Sequence, residues 1–218
     1  MEEYQTDEQQ IAALKNWWQQ YGRSLLTGVV LALALVFGWR AWQSHQSTES
    51  ETAALQYQSI VAAFETARDA EEASDAKASA SVTLKTLVEK LQSEYPGSVY
   101  SHLAGFYLAK HGMSQADYDV AVEQLSWVKD TAKDEAIVAT ATQRLARVLW
   151  AKEDVAGAQA VLEDVSVPAY QAVIAELKGD LYLASGEPLK ARVAYQEAKN
   201  SEFSVRPFVE LKLNDLSE

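Results

Sequence analysis

Residues 178–198 read KGDLYLASGEPLKARVAYQEA, and their spacing decides the architecture of the chain. Gly179 is followed three positions on by Tyr182, and after a break at Gly186 come Ala191, Tyr195 and Ala198. Apolar positions three and four apart mark one face of a helix, and a glycine between two such runs marks a turn. Two helices joined at Gly186 therefore form a hairpin. Small residues let the pair approach closely, and the rings fill the gap and the joint to the next pair. Residues 141–165 (ATQRLARVLWAKEDVAGAQAVLEDV) carry the same pattern 33 positions earlier: Ala146 meets Gly179, Leu149 meets Tyr182, Ala158 meets Ala191 and Leu162 meets Tyr195. A further copy, SHLAGFYLAKHGMSQADYDVAVEQLSWV from Ser101 to Val128, supplies Leu103, Ala104 and Tyr107, then Ala121 and Leu125 after a longer loop around Gly112 to Tyr118.

This order of small and large positions is the tetratricopeptide pattern. The third copy carries it in full; the first two lack one or more of its aromatic residues. Composition agrees, with 9 glycines and 4 prolines against 48% apolar residues, too few turn residues for a sheet protein. With one more helix pair between about Glu49 and Tyr95, the expected fold is all-α: a solenoid of about four hairpins. The stretch VRPFVELKLNDL, Val205 to Leu216, supplies a C-terminal capping helix over the last apolar face. In the first pair, the charged run Arg68 to Ser81 reads as a connection. The next helix carries Val82, Leu84, Leu87, Val88 and Leu91 and stops at Tyr95-Pro96-Gly97.

Ahead of the repeats, Leu25 to Trp39 reads LLTGVVLALALVFGW without a charge. Extended to residues 24–42, it reaches about 28 Å as a helix, the thickness of a bilayer core. Trp17, Trp18 and Tyr21 precede it and Trp39 and Trp42 close it, as rings favour the headgroup zone; Arg40 can extend its guanidinium outward from the end. A buried core helix would not need aromatic residues at both ends. A cleavable signal peptide would begin short and basic, whereas this chain begins Met-Glu-Glu and shows no small-residue cleavage site after the segment. Lys15 and Arg23 before the segment outnumber Arg40 after it, which favours a cytoplasmic N-terminus. Residues 1–23 then form a cytoplasmic segment whose Ile11, Leu14, Trp17, Trp18 and Tyr21 fit an amphipathic helix lying on the membrane before the chain turns in. Residues 43–97 form a stalk and the first hairpin, and residues 98–218 the repeats and cap.

The formal charge is −12, with bases scattered rather than clustered, so nucleic acid is excluded as a ligand. Beyond residue 42 there are 27 acids and 16 bases, a balance that would suit a basic partner. No cysteine is present, and His45, His102 and His111 make no metal-ligand spacing. The acidic pairs Glu71-Glu72, Asp134-Glu135 and Glu153-Asp154 sit in polar runs, and no strand leads into a glycine-rich loop. Nothing points to an enzyme, a cofactor or a small-molecule substrate. Projecting the repeats instead puts Gln143, Arg147 and Trp150, then Glu176, Asp180 and Leu183, on a concave, protein-binding face. Trp150 either meets a partner there or packs against the neighbouring hairpin.

The whole layout resembles the YfgM family, ancillary subunits of the bacterial Sec translocon. The resemblance rests on the acidic N-terminus and aromatic-flanked anchor, on GWRAWQSHQ (Gly38 to Gln46), on LARV (Leu145 to Val148), on the repeat at 178–198 and on LKLNDL (Leu211 to Leu216). It implies a single-pass type II protein of the inner membrane with its repeat domain in the periplasm. The implied partners are the SecYEG channel, the membrane-anchored chaperone PpiD and exported client proteins, with a chaperone-like or adaptor role and no catalytic residues. A scaffold subunit of another inner-membrane complex is the alternative, and a cytoplasmic-facing domain recruiting soluble factors is a third.

Overall fold

The computed structural model describes residues 7–70, 74–163, 165, 167–202 and 207–216, and among these it contains nine α-helices, one 3-10 turn and no strand. The first compact unit, residues 1–51, is the early part of helix α1 (Asp7–Asp69). Among the described residues α1 is the one helix long and apolar enough to cross a membrane, with a mean hydropathy of 1.8 over its most apolar window and none of that window buried. No break separates Tyr21 from Leu25. The expected turn out of a surface-lying helix is therefore absent, because Gly22 and Arg23 hold helical geometry. Residues 1–6 lie outside the described residues.

The second unit, residues 52–218, stacks consecutive helices. Its first hairpin pairs the end of α1 with α2 (Asp75–Glu94). Ala53, Ile60 and Phe64 of α1 share one apolar cluster with Leu84, Val88 and Leu91 of α2 and with Ala104 and Leu108 of α3 (Val99–Ser114). The next cluster joins α3, α4 (Tyr118–Thr131) and α5 (Glu135–Ala151) through Ala109, Leu125, Leu145 and Val148. Another joins α5, α6 (Val155–Val161) and α7 (Gln171–Ala184) through Ala146, Leu162, Ile174 and Leu181. A last one joins α7, α8 (Pro188–Asn200) and the cap α9 (Pro207–Asp215) through Ala175, Ala191, Tyr195 and Val209. Each cluster is shared only with neighbours along the chain, which is the packing of a solenoid.

Two expectations need correcting. The run Arg68 to Ser81 is mostly helical: Arg68 and Asp69 end α1, and Asp75 to Ser81 open α2. Ser74 caps that helix by accepting a hydrogen bond from the Lys77 amide at 3.1 Å, and the alanines of DAKASASV carry it forward. The connection shrinks to the residues around 70–74, of which 71–73 lie outside the described residues, as do Val205 and Arg206 ahead of α9. The second correction concerns register. The first copy aligns through Ala109 and Gly112, not Ala104 and Tyr107, and its loop is no longer than the others.

Three backbone bonds prove the point. The Asp117, Asp154 and Glu187 amides donate to the Gly112, Leu149 and Tyr182 carbonyls at 2.8, 2.9 and 2.8 Å. In each turn the residue just before takes a left-handed φ: Ala116 at 55°, Glu153 at 68°, Gly186 at 74°. Only the third copy places a glycine there, where the conformation costs nothing. Asp117 and Asp154 add side-chain caps, accepting from the Val120 amide at 3.2 Å and the Gly157 amide at 2.8 Å. One irregularity is real. Helix α6 spans 7 residues where α4 spans 14 and α8 spans 13, because the β-branched residues Val165 and Val167 and then Pro168 follow where its second half would run.

Candidate functional site

The corrected register sorts the first helices of the hairpins into matching positions. Met113, Trp150 and Leu183 occupy the same place, one residue before the end of α3, α5 and α7. They are 37%, 37% and 40% exposed, so each large apolar side chain leaves part of its surface open. One turn earlier stand Lys110, Arg147 and Asp180, and a further turn back Phe106, Gln143 and Glu176. Part of the Trp150 side chain is covered and part is open.

Lys110 is exposed with its ammonium 5.2 Å from the Phe64 ring centroid, and Arg147 is exposed. Phe106 is half-buried under the Arg144 guanidinium at 4.6 Å, and Gln143 is half-buried. Sequence reasoning missed Met113, Lys110 and Phe106 because it anchored the first copy on Ala104. The spacing of 12 between Ala109 and Ala121, equal to that of Ala146 to Ala158 and Gly179 to Ala191, was the available signal.

The third repeat departs from the expectation. Glu176 is buried and accepts a hydrogen bond from Lys212 Nζ at 2.9 Å, and Asp180 accepts from the same atom at 2.6 Å and from the Tyr195 hydroxyl at 2.7 Å. The cap therefore pairs both carboxylates with Lys212, Glu176 buried and Asp180 half-buried. Burial by itself lowers the Lys212 pKa, but the hydrogen bonds to Asp180 and Glu176 and their charges outweigh it and the pKa ends raised. Burial first, then the bond to Asp180, raises the Tyr195 phenol well above its usual value. What remains open is basic and apolar: Lys110 and Arg147 beside Met113 and Trp150. The net negative charge of the domain thus misstates the charge of this face.

Two histidines are internal. His102 is buried against the Trp127 ring, 5.6 Å between centroids, and His111 Nε2 lies 2.9 Å from the Ser81 hydroxyl. Burial lowers both pKa values, with Lys77 adding to the effect at His111. Among the described residues no group of histidines and acids could hold a metal ion. At the anchor, Trp17, Trp18, Tyr21, Trp39, Arg40 and Trp42 are all exposed. Trp17 stacks near Tyr21 at 6.1 Å and Trp39 near Trp42 at 5.2 Å. Trp18 and Trp39 stand 21 positions apart, or about 31 Å along a helix, which fits two headgroup zones.

The family model described as a tetratricopeptide repeat-like domain matches residues 15–218. Full-length curated relatives carry the name Ancillary SecYEG translocon subunit. One from Escherichia coli (strain K12) is 28% identical over 100% of both chains. Another, from Neisseria gonorrhoeae, is 29% identical over 96% of this chain and 97% of its own. A third, from Haemophilus influenzae, is 25% identical with the same coverage. The chain belongs to the YfgM family. Since the matched region begins at residue 15, the YfgM-type domain takes in the apolar helix as well as the hairpins. No solved structure matches the chain.

Proposed function

We propose that this YfgM-family protein is a non-catalytic, membrane-anchored subunit of the Sec translocon. Its solenoid lies in the periplasm and docks a partner, a membrane-anchored chaperone of the PpiD kind, so as to assist exported chains at the channel exit. The observation that carries the reading is the end-to-end correspondence with relatives named as ancillary SecYEG subunits, anchor included. The geometry supports it in three ways. The anchor confines the solenoid to a membrane plane, which raises its effective concentration near a channel. The excess of Lys15 and Arg23 over Arg40 favours a cytoplasmic N-terminus. The row Met113, Trp150 and Leu183, with Lys110 and Arg147 beside it, supplies aromatic and basic anchors of the kind that dominate interfaces.

Topology comes first in the test. A single cysteine at exposed Glu123 in this cysteine-free chain is treated with a membrane-impermeant maleimide in intact spheroplasts. Labelling without lysis supports the periplasmic placement; labelling only after lysis overturns it. Photo-crosslinkers at Arg147 and, as control, at Gln196 on the far side of α8 then ask which face is used. Adducts to channel subunits or a membrane-anchored chaperone at Arg147 alone agree with the reading. Equal adducts at both positions, or none, would sink it.

A further inference from the structure

Helix α6 stops after 7 residues, about 10 Å short of the length its counterparts reach. The N-terminal half of α5 is thereby left without the covering helix that the other hairpins have. The result is an open cleft of about 550 Å³ between the end of α4, the start of α5 and the segment after α6, within the size range of ligand sites. Its floor is Val138 and Ala139; its facing wall is Val161, Val165 and Val167. All five are aliphatic. Voids of this size do not persist in packed cores, so the shortened helix makes an opening rather than a packing fault.

The rim is unlike the rest of the domain. Among the described lining residues, Lys129 and Lys133 stand there with one acid, Glu135, in a unit where acids outnumber bases by 25 to 16. Lys129 lies 3.0 Å from its neighbour Asp130, while Lys133 is exposed and forms no ion pair among the described residues. The cleft is bounded by Val138 and Thr142 of α5, not by Arg147 or Trp150, so it is separate from the row of apolar residues described above.

We infer that this cleft is a second binding site, which takes a short extended peptide segment bearing branched aliphatic side chains and a nearby carboxylate. Valine and alanine walls without an aromatic surface suit aliphatic side chains, whose burial drives association. The two lysines at the mouth select an acidic flank and reject a basic one. This inference is independent of the translocon reading.

The test uses the full-length protein in detergent and a dye-labelled, acetylated heptapeptide of alternating leucine and glutamate, read by fluorescence anisotropy. Saturable binding is expected, with none for the matched peptides in which serine replaces leucine or lysine replaces glutamate. Val138→Phe, which fills the cleft, is expected to weaken binding at least tenfold; exposed Lys133→Glu is expected to weaken it about fivefold. Circular dichroism checks that both variants keep the parent fold, and the surface change at Lys133 keeps the test decisive if Val138→Phe unfolds. The proposal is overturned by any of three results: no binding to the parent protein, equal binding by the lysine peptide, or unchanged binding in Lys133→Glu. It is also overturned if dodecanoate binds more tightly than the peptide and displaces it, which would make the ligand a lipid carboxylate.

Discussion

Replacing Gly179 by alanine asks whether the tight helix pair of the third repeat is set by that one missing methyl. A Cβ built at Gly179 would lie 2.9 Å from Tyr195 Cζ and closer still to Cδ1 and Cε1. The ring has little room to retreat. Tyr195 is wholly buried, its hydroxyl is bonded to Asp180, and Lys212 Nζ sits 5.5 Å from the ring centroid. Overpacking of this kind costs about 1–3 kcal/mol, with the upper half applying when the neighbour is pinned. Alanine returns about 1 kcal/mol through its helix propensity. The net loss is therefore about 1–2 kcal/mol, or roughly 2–8 °C in melting temperature for a domain of this size. Urea and thermal unfolding of the detergent-solubilised chain, followed by far-UV circular dichroism, read it directly.

The preceding repeats supply an internal control, since Ala146 faces Leu162 and Ala109 shares a cluster with Leu125 where the third has Gly179 and Tyr195. Tyr195→Leu alone should cost about 2 kcal/mol through lost volume and the lost bond to Asp180. In the double variant, alanine at 179 should then be neutral or favourable, a coupling of about 1–2 kcal/mol. If Gly179→Ala is neutral or stabilising in the parent background, the steric account of this repeat is wrong.

Lys212→Met should loosen the cap, since it leaves Glu176 and Asp180 without their shared cation; a loss of about 2 kcal/mol and faster hydrogen exchange in α9 are expected. Because the folded pKa of Lys212 is raised, its contribution is full below the unfolded value near 10.4 and fades as pH climbs through the higher folded one, so alkaline titration should release α9 first. The lowered pKa values of His102 and His111 act in the other direction: stability holds above about pH 6.5 and falls as pH drops through it, and the His111→Gln variant should flatten that slope. Glu153→Gly should stabilise by up to about 1 kcal/mol by relieving the left-handed turn, while Gly186→Ala should cost about as much; paired urea curves decide both. Trp150→Ala should lower crosslinking from the α5 face to a partner severalfold while keeping the fold, and unchanged adduct yields would remove Trp150 from the interface.

How far the sequence could be read depended on where local chemistry and global packing agree. The third repeat was legible because Gly179, Gly186, Ala191 and Tyr195 each carry the residue their position favours. The second was reached by translation from it. The first failed by five positions because Ala116 stands where Gly186 stands in the third, so the turn carried no punctuation, and because Ala104 and Tyr107 imitate a small–large pair. Their actual work is different, Ala104 packing on α1 and α2 and Tyr107 meeting Phe64 edge-on at 4.9 Å. The short α6 was hidden for another reason. VAGAQAVLEDV keeps helical periodicity to Leu162, and only the structure reveals that the helix ends at Val161.

The proposed docking face was the hardest part to read, and the reason is electrostatic. Projection from the pattern put Glu176 and Asp180 beside Arg147 as if all were equally open. Charge counting over the domain then favoured a basic partner. Both steps treat each residue as facing solvent. Lys212 lies 36 residues beyond Glu176, and no local rule links them; only the return of α9 onto α7 and α8 does so. With those two acids paired to Lys212, Lys110 and Arg147 stand as exposed charges on the face that also carries Met113 and Trp150. Net charge bears on how the solenoid would meet anionic lipid and other copies of itself, but on the proposed docking face the sign is set by the few side chains the cap leaves free.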